Sequence, residues 1–150
     1  MPLTAGEMNE QTQTQPGEIM AGEKRVRVLV VDDSFIARCT VCSLLETQNG
    51  IEIVGCAPDG REALRLAESL VPDLVLMDLS MPIMNGLEAT QLLRQKIPAT
   101  RIVIVTSHDS PEFRRTCRVA GAHGFITKNR LHAELPDLIN QLFPNPAASQ

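Results

Sequence analysis

Four short aliphatic runs in this chain each end on a polar side chain. Val26-Arg27-Val28-Leu29-Val30-Val31 runs into Asp32-Asp33, and Asp73-Leu74-Val75-Leu76-Met77 runs into Asp78. Arg101-Ile102-Val103-Ile104-Val105 runs into Thr106-Ser107, and Gly124-Phe125-Ile126-Thr127 into Lys128. Short β-branched runs separated by stretches of helical spacing read as parallel strands of a βαβ series. The pattern predicts strands over 26–31, 51–56, a third starting at Pro72, 101–106 and 123–127. In such sheets ligands bind at the carboxyl edge, where the strand order switches. Three carboxylates, a hydroxyl and an ammonium are therefore expected in one crevice, a site suited to a divalent cation and a phosphoryl group.

The intervening segments carry helical periodicity. A helix is predicted over 35–48, with Phe35, Ile36, Val41, Leu44 and Leu45 on its apolar side and Asn49-Gly50 as a left-handed cap. Pro58-Asp59-Gly60 is a turn, and Ala63, Leu64, Ala67 and Leu70 recur at helical spacing over 61–70. The loop Met81 to Gly86 leads to a helix over 87–95. Asp109-Ser110-Pro111 makes a helix start with proline near the first position, and Gly121 ends that helix. The last helix is expected over 133–142, with Pro136 tolerated in its first turn. The expected fold is α/β: a (βα)₅ doubly wound parallel sheet of order 2-1-3-4-5, flavodoxin-like.

Composition changes this picture little. At 150 residues, 43% hydrophobic and 21% charged, the chain suits one domain with one substantial core. No apolar stretch approaches the roughly 20 residues of a membrane-spanning helix, and the amino terminus has neither the basic start nor the apolar core of a secretory signal. Residues 1–23 hold Glu7, Glu10, Glu18 and Glu23 and no Lys or Arg. The whole chain carries 14 Lys and Arg against 18 Asp and Glu, so the remainder is balanced at 14 of each. A balanced body with four Phe and no Trp or Tyr offers neither the basic surface nor the stacking platforms of nucleic-acid binding. Residues 1–23 are expected to be a disordered polar, acidic tail, 24–143 the folded domain and 144–150 a second tail.

Cys39-x-x-Cys42 falls inside a predicted helix, with Cys56 and Cys117 elsewhere. A redox pair needs an exposed helix start, and zinc needs two further ligands. All four are expected to be small apolar fillers in a reducing cytosol.

Asp32, Asp33 and Asp78 together need counter-charge. Two unit charges 4 Å apart repel by about 4 kcal/mol at an effective dielectric of 20, and Lys128 supplies only one cation. A hard divalent ion held by one or two carboxylates with waters and phosphate oxygens is how Mg²⁺ is usually bound. A carboxylate beside such an ion can attack phosphorus to give an acyl phosphate.

Residues 26–142 resemble a response-regulator receiver domain of two-component signalling. The carriers are Val30-Val31-Asp32-Asp33-Ser34, the run from Pro72 through Asp78 to Asn85-Gly86 and Thr90, Val103 to Ser107, and Gly121 to Lys128. The resemblance implies that Asp78 is the phosphoacceptor. It implies that Asp33 is the main acidic Mg²⁺ ligand, with Asp32 assisting and the Ser80 backbone carbonyl completing the shell. Thr106 would be the switch hydroxyl, Lys128 its ion-pair partner at the phosphoryl group, and Phe125 the switch aromatic. Asn129 stands where many receivers carry proline, and Ser80 and His108 occupy positions that tune acyl-phosphate hydrolysis in the family.

The implied partners are a histidine kinase or histidine phosphotransfer protein, and a downstream protein target that meets the face bearing Arg114, Arg115 and Arg118. The implied role is a phosphorylatable, cytoplasmic switch that is not itself an enzyme, acts without nucleic acid or membrane, and stands alone between Met1 and Gln150. Two alternatives stay open: the receiver half of a DNA-binding transcriptional regulator, and a phosphate-independent binding module. A haloacid-dehalogenase-like phosphohydrolase needs an acid two residues after its nucleophile, and Ser80 occupies that position.

Overall fold

The computed structural model describes residues 25–144, so the first expected tail, and all of the second except Pro144, lie outside the described residues. Five strands alternate with five helices: β1 (Val26–Val31), α1 (Phe35–Glu46), β2 (Ile51–Ala57), α2 (Gly60–Leu70), β3 (Leu74–Met77), α3 (Gly86–Lys96), β4 (Arg101–Thr106), α4 (Pro111–Ala120), β5 (Gly124–Thr127) and α5 (Leu131–Leu142). All pairings are parallel, in the order β2-β1-β3-β4-β5. The order reverses between β1 and β3, which places the crevice at the ends of those two strands.

Strand residues alternate between two apolar layers. Val28, Val30, Leu74, Leu76, Val103, Val105 and Ile126 pack with α1 and α5. Leu29, Val31, Val75, Met77, Ile102 and Ile104 pack with α2, α3 and α4. Burial on both faces explains why the central strands are continuously apolar. Helix starts follow from side-chain caps: Ser34, Asp59, Asn85 and Ser110 each accept a hydrogen bond from the backbone amide three residues on.

The structure departs from the sequence reading in four places. Phe35 and Ile36 are 69% and 76% exposed, whereas Val41, Leu44 and Leu45 are buried. At 3.6 residues per turn the first two point roughly 120–140° away from Val41, off the inward stripe. Thr47, in right-handed conformation, ends α1, and the left-handed residue Gly50 (φ 80°) comes three positions later, at the turn into β2. Pro72 precedes β3 rather than starting it. Pro136 sits sixth in α5, because a 3₁₀ turn at Lys128–Arg130 feeds the helix from upstream. The His132 carbonyl therefore lacks the amide partner that any other residue at 136 would provide.

Candidate functional site at the carboxyl edge of the sheet

β1, β3 and β4 deliver their last residues to one edge. Asp32 follows β1 and Asp78 follows β3; both are buried, at 4% and 5% exposure, while Asp33 is exposed. One carboxylate oxygen from each of the three acids lies within 4.8 Å of the others. Hydrogen bonds hold the backbone here: the Asp78 amide donates to the Val31 carbonyl (2.9 Å) and the Asp32 amide to the Ala57 carbonyl (3.1 Å). Asp32 Oδ1 accepts from the Ser34 amide (2.9 Å), and the Arg38 guanidinium donates to the Asp32 carbonyl (2.6 Å).

Lys128 arrives from the end of β5. Its Nζ lies 2.8 Å from Asp32 Oδ2 and 3.6 Å from Asp78 Oδ1. Burial works against the ammonium, but the hydrogen bond to Asp32 and the charges of both acids outweigh it and hold its pKa above the ordinary lysine value. Asp78 is pushed the other way. Burial, then the neighbouring Asp32 charge, raise its pKa to about 6 despite Lys128. One ammonium thus leaves the cluster short of positive charge. Three close carboxylate oxygens with an exposed member suit a hard cation that keeps part of its water, and this donor set fits Mg²⁺.

Thr106 is buried at the end of β4, and its Oγ1 accepts from the His108 amide (3.2 Å). Phe125 pairs in register with Ile104, so Thr106 lies two residues further along the same face of the sheet. The ring is half-buried, and the Arg114 guanidinium sits 4.6 Å above its centroid. Arg114 also bridges to Asp109 (2.8 Å). It therefore turns inward, and the outward face of α4 keeps Arg115 and Arg118, both exposed. Ser80 is exposed and, with Asp33, Leu79, Met81, Asn85 and Phe113, lines an open groove of about 640 Å³ beside the acids.

Some supports of this site were not read from the sequence. Gly86 donates its amide to the Leu79 carbonyl (2.9 Å), and a β-carbon at 86 would meet the Asp78 carbonyl. Gly60 donates to the Met84 carbonyl (3.0 Å), and a β-carbon there would lie 2.4 Å from that oxygen. The loop after Asp78 is thereby clamped at two points, with Ile83 left-handed (φ 69°) between them. The Asn85-Gly86 pair was the available signal. Nothing in the sequence placed Arg38 or Arg114 against their present partners.

A family model described as "Response regulator receiver domain" matches residues 28–140. The Response regulator GacA of Pseudomonas aeruginosa is 39% identical over 118 residues, which cover 79% of this chain and 55% of that protein. The Transcriptional regulatory protein LiaR of Bacillus subtilis is 38% identical over 114 residues, covering 76% of this chain and 54% of that one. Among solved structures, the receiver domain of the histidine kinase CKI1 from Arabidopsis thaliana, complexed with Mg²⁺, superposes with a TM-score of 0.67 at 33% identity, over 79% of this chain and 93% of that one. The chain belongs to the response-regulator receiver domain family of two-component signalling. It spans about half the length of these curated relatives. Among the described residues, no helix is long and apolar enough to cross a membrane.

Proposed function

We propose that Asp78 accepts a phosphoryl group from the phosphohistidine of a histidine kinase or histidine phosphotransfer protein, and that the acyl phosphate reshapes the α4–β5 face for a downstream protein. The observation that carries this reading is Asp78 itself: buried at a strand end, within a three-acid cluster, and 3.6 Å from the Lys128 ammonium. A carboxylate oxygen of Asp78 attacks phosphorus, the phosphorus–nitrogen bond of the donor breaks, and the donor imidazole takes up a proton as it leaves. With a pKa of about 6, the carboxyl is mostly ionised at neutral pH and ready to attack. Lys128 follows the charge from the Asp78 carboxylate to the new phosphoryl oxygens, and the Thr106 hydroxyl donates to one of them.

Asp32, Asp33, Asp78 and the Ser80 carbonyl would hold Mg²⁺, which when bound neutralises phosphoryl oxygen charge. Movement of Thr106 toward the phosphoryl group vacates space on the face it shares with Phe125, and the ring turns inward. That rearrangement converts a local charge event into a change of surface shape. Arg115 and Arg118 make this surface suited to an acidic partner. Phosphate drawn from an ATP-fed kinase places the protein in the cytoplasm.

The test is incubation with Mg²⁺ and a small phosphodonor, followed by intact mass. Addition of one phosphoryl group, lost without Mg²⁺ and in Asp78→Asn, is expected. A phosphoryl group that persists in Asp78→Asn would move the acceptor elsewhere. A second reading, the receiver half of a DNA-binding regulator, draws on one observation: GacA and LiaR are nearly twice as long as the matched segment, and LiaR is named a transcriptional regulatory protein. Reading the natural gene past the codon for Gln150 decides between a stand-alone switch and that form.

A further inference from the structure

The cysteines do not behave as the fillers their sequence suggested. Only Cys117 is buried; Cys39 and Cys56 are exposed and Cys42 is half-buried. Cys42 lies on α1 and Cys56 on the edge strand β2, yet their sulfurs stand 3.7 Å apart. Their meeting has a backbone cause. β1 and β2 run in register up to Val28 opposite Ile53, and then slip by one residue, so that Leu29 faces Gly55 and Val30 faces Cys56. Strand side chains alternate, so Ile53 and a residue three positions later would ordinarily point to opposite faces. The extra residue, Val54, reverses that parity and puts Cys56 on the α1 side with Val30.

We propose that Cys42 and Cys56 are a peroxide-sensitive pair that closes to an intramolecular disulfide, clipping α1 to β2. The proposal is independent of the phosphoryl chemistry. The exposed Cys56 sulfur meets the oxidant first. As a thiolate it attacks one oxygen of a hydroperoxide; the oxygen–oxygen bond breaks, a sulfur–oxygen bond forms, and the leaving oxide takes a proton. The Cys42 sulfur then attacks the Cys56 sulfenic sulfur. The sulfur–sulfur bond forms, hydroxide leaves, and with the Cys42 proton it becomes water. Two thiols lose two electrons and two protons, and hydrogen peroxide is reduced to two waters. Burial, and then the contact with Cys56, push the Cys42 thiol up to about 12, so Cys42 must shed its proton as it attacks and closure is expected to quicken as pH rises. Closure requires the two side chains to turn toward each other, from a sulfur separation of 3.7 Å to the bond length of about 2.05 Å.

A closed clip joins the two elements that flank the acidic loop. α1 begins after Ser34, whose amide holds Asp32 Oδ1, and the Asp32 amide is held by Ala57, the residue next to Cys56. The disulfide would therefore tie together the two elements, α1 and β2, whose ends hold Asp32.

The test uses the full reduced chain, exposed in its folded state to graded hydrogen peroxide, then denatured, alkylated with N-ethylmaleimide and analysed by intact mass and peptide mapping. Two of the four cysteines are expected to escape alkylation, recovered as one peptide pair joining Cys42 to Cys56 and released by dithiothreitol. Cys39→Ser should form the same pair, and Cys56→Ser should lose it. Four alkylated thiols after peroxide would overturn the proposal, as would a main product joining Cys39 to Cys42 or two chains to each other.

Discussion

Gly86 stands so close behind Asp78 that a β-carbon at 86 would lie 2.0 Å from the Asp78 carbonyl oxygen. Contact that short cannot be relieved by a side-chain rotation, because the backbone fixes the β-carbon and the atom it meets is a backbone oxygen. Gly86→Ala is expected to destabilise the fold by about 1–3 kcal/mol, the scale of overpacking a tight site, measured by urea unfolding. The shift also moves the acidic loop, so phosphorylation with a small donor should fall more than the unfolded fraction accounts for. A variant with wild-type stability and wild-type labelling would show that the close approach is not maintained in solution.

Asp78 makes stability pH-dependent in the metal-free protein. Its pKa is about 6 in the fold, while an unfolded aspartate titrates near its ordinary value of about 3.9. Between those values the native chain holds the proton more tightly, so stability falls as pH rises through the window. The full penalty, on the order of 3 kcal/mol, is present above it. Asp78→Asn cannot ionise and should be more stable than the wild type at neutral pH, with the gain fading toward about pH 4. Chemical denaturation at several pH values, in chelator, measures this; a gain that is flat with pH would assign it to something other than ionisation.

Lys128 is the counter-ion of both buried acids, 2.8 Å from Asp32 and 3.6 Å from Asp78. Lys128→Met keeps the apolar stem and removes the charge. The loss in metal-free protein is expected at about 1–3 kcal/mol, less than for a fully buried pair because the lysine is partly solvated. The Asp78 titration, followed by carboxyl NMR, should move further above 6, since one lowering influence is gone. Added Mg²⁺ should restore part of the stability by binding only the folded state. An unchanged Asp78 titration would mean that the ammonium spends its time in solvent.

The strands and the acids at their ends were legible because they follow from runs and their terminations, features local in sequence, and the strand order followed from the rules of doubly wound parallel sheets. Which way a side chain faces near a helix start was not. Phe35 and Ile36 look like core residues by composition, but the inward stripe of α1 passes through Val41, Leu44 and Leu45 and leaves both in solvent. Their replacement by Ser should change stability by under about 0.5 kcal/mol, against several for Leu45→Ala. Cys56 was misread because a one-residue slip in strand register has no sequence marker, yet it decides the face of every later residue. The partners of Arg114 were equally hidden, since Asp109 and Phe125 lie on different sides of it in the chain.

Arg114 has a consequence for switching. Its guanidinium covers the Phe125 ring at 4.6 Å while its Nε is held by Asp109 at 2.8 Å, so α4 and β5 meet through one planar cation. Any inward turn of the ring must leave that contact, worth about 0.5–1 kcal/mol at an exposed site. Arg114→Ala should therefore make the turned-in state more populated without phosphate. Ring signals of Phe125 should broaden or shift part-way toward those of the beryllofluoride-treated wild type. Arg114→Lys should restore little, because an ammonium has no plane to stack on the ring. Raised salt should weaken the exposed Asp109 pair more than the stack, so a wild-type Phe125 signal that follows ionic strength would mean that the ion pair, not the ring contact, sets the balance.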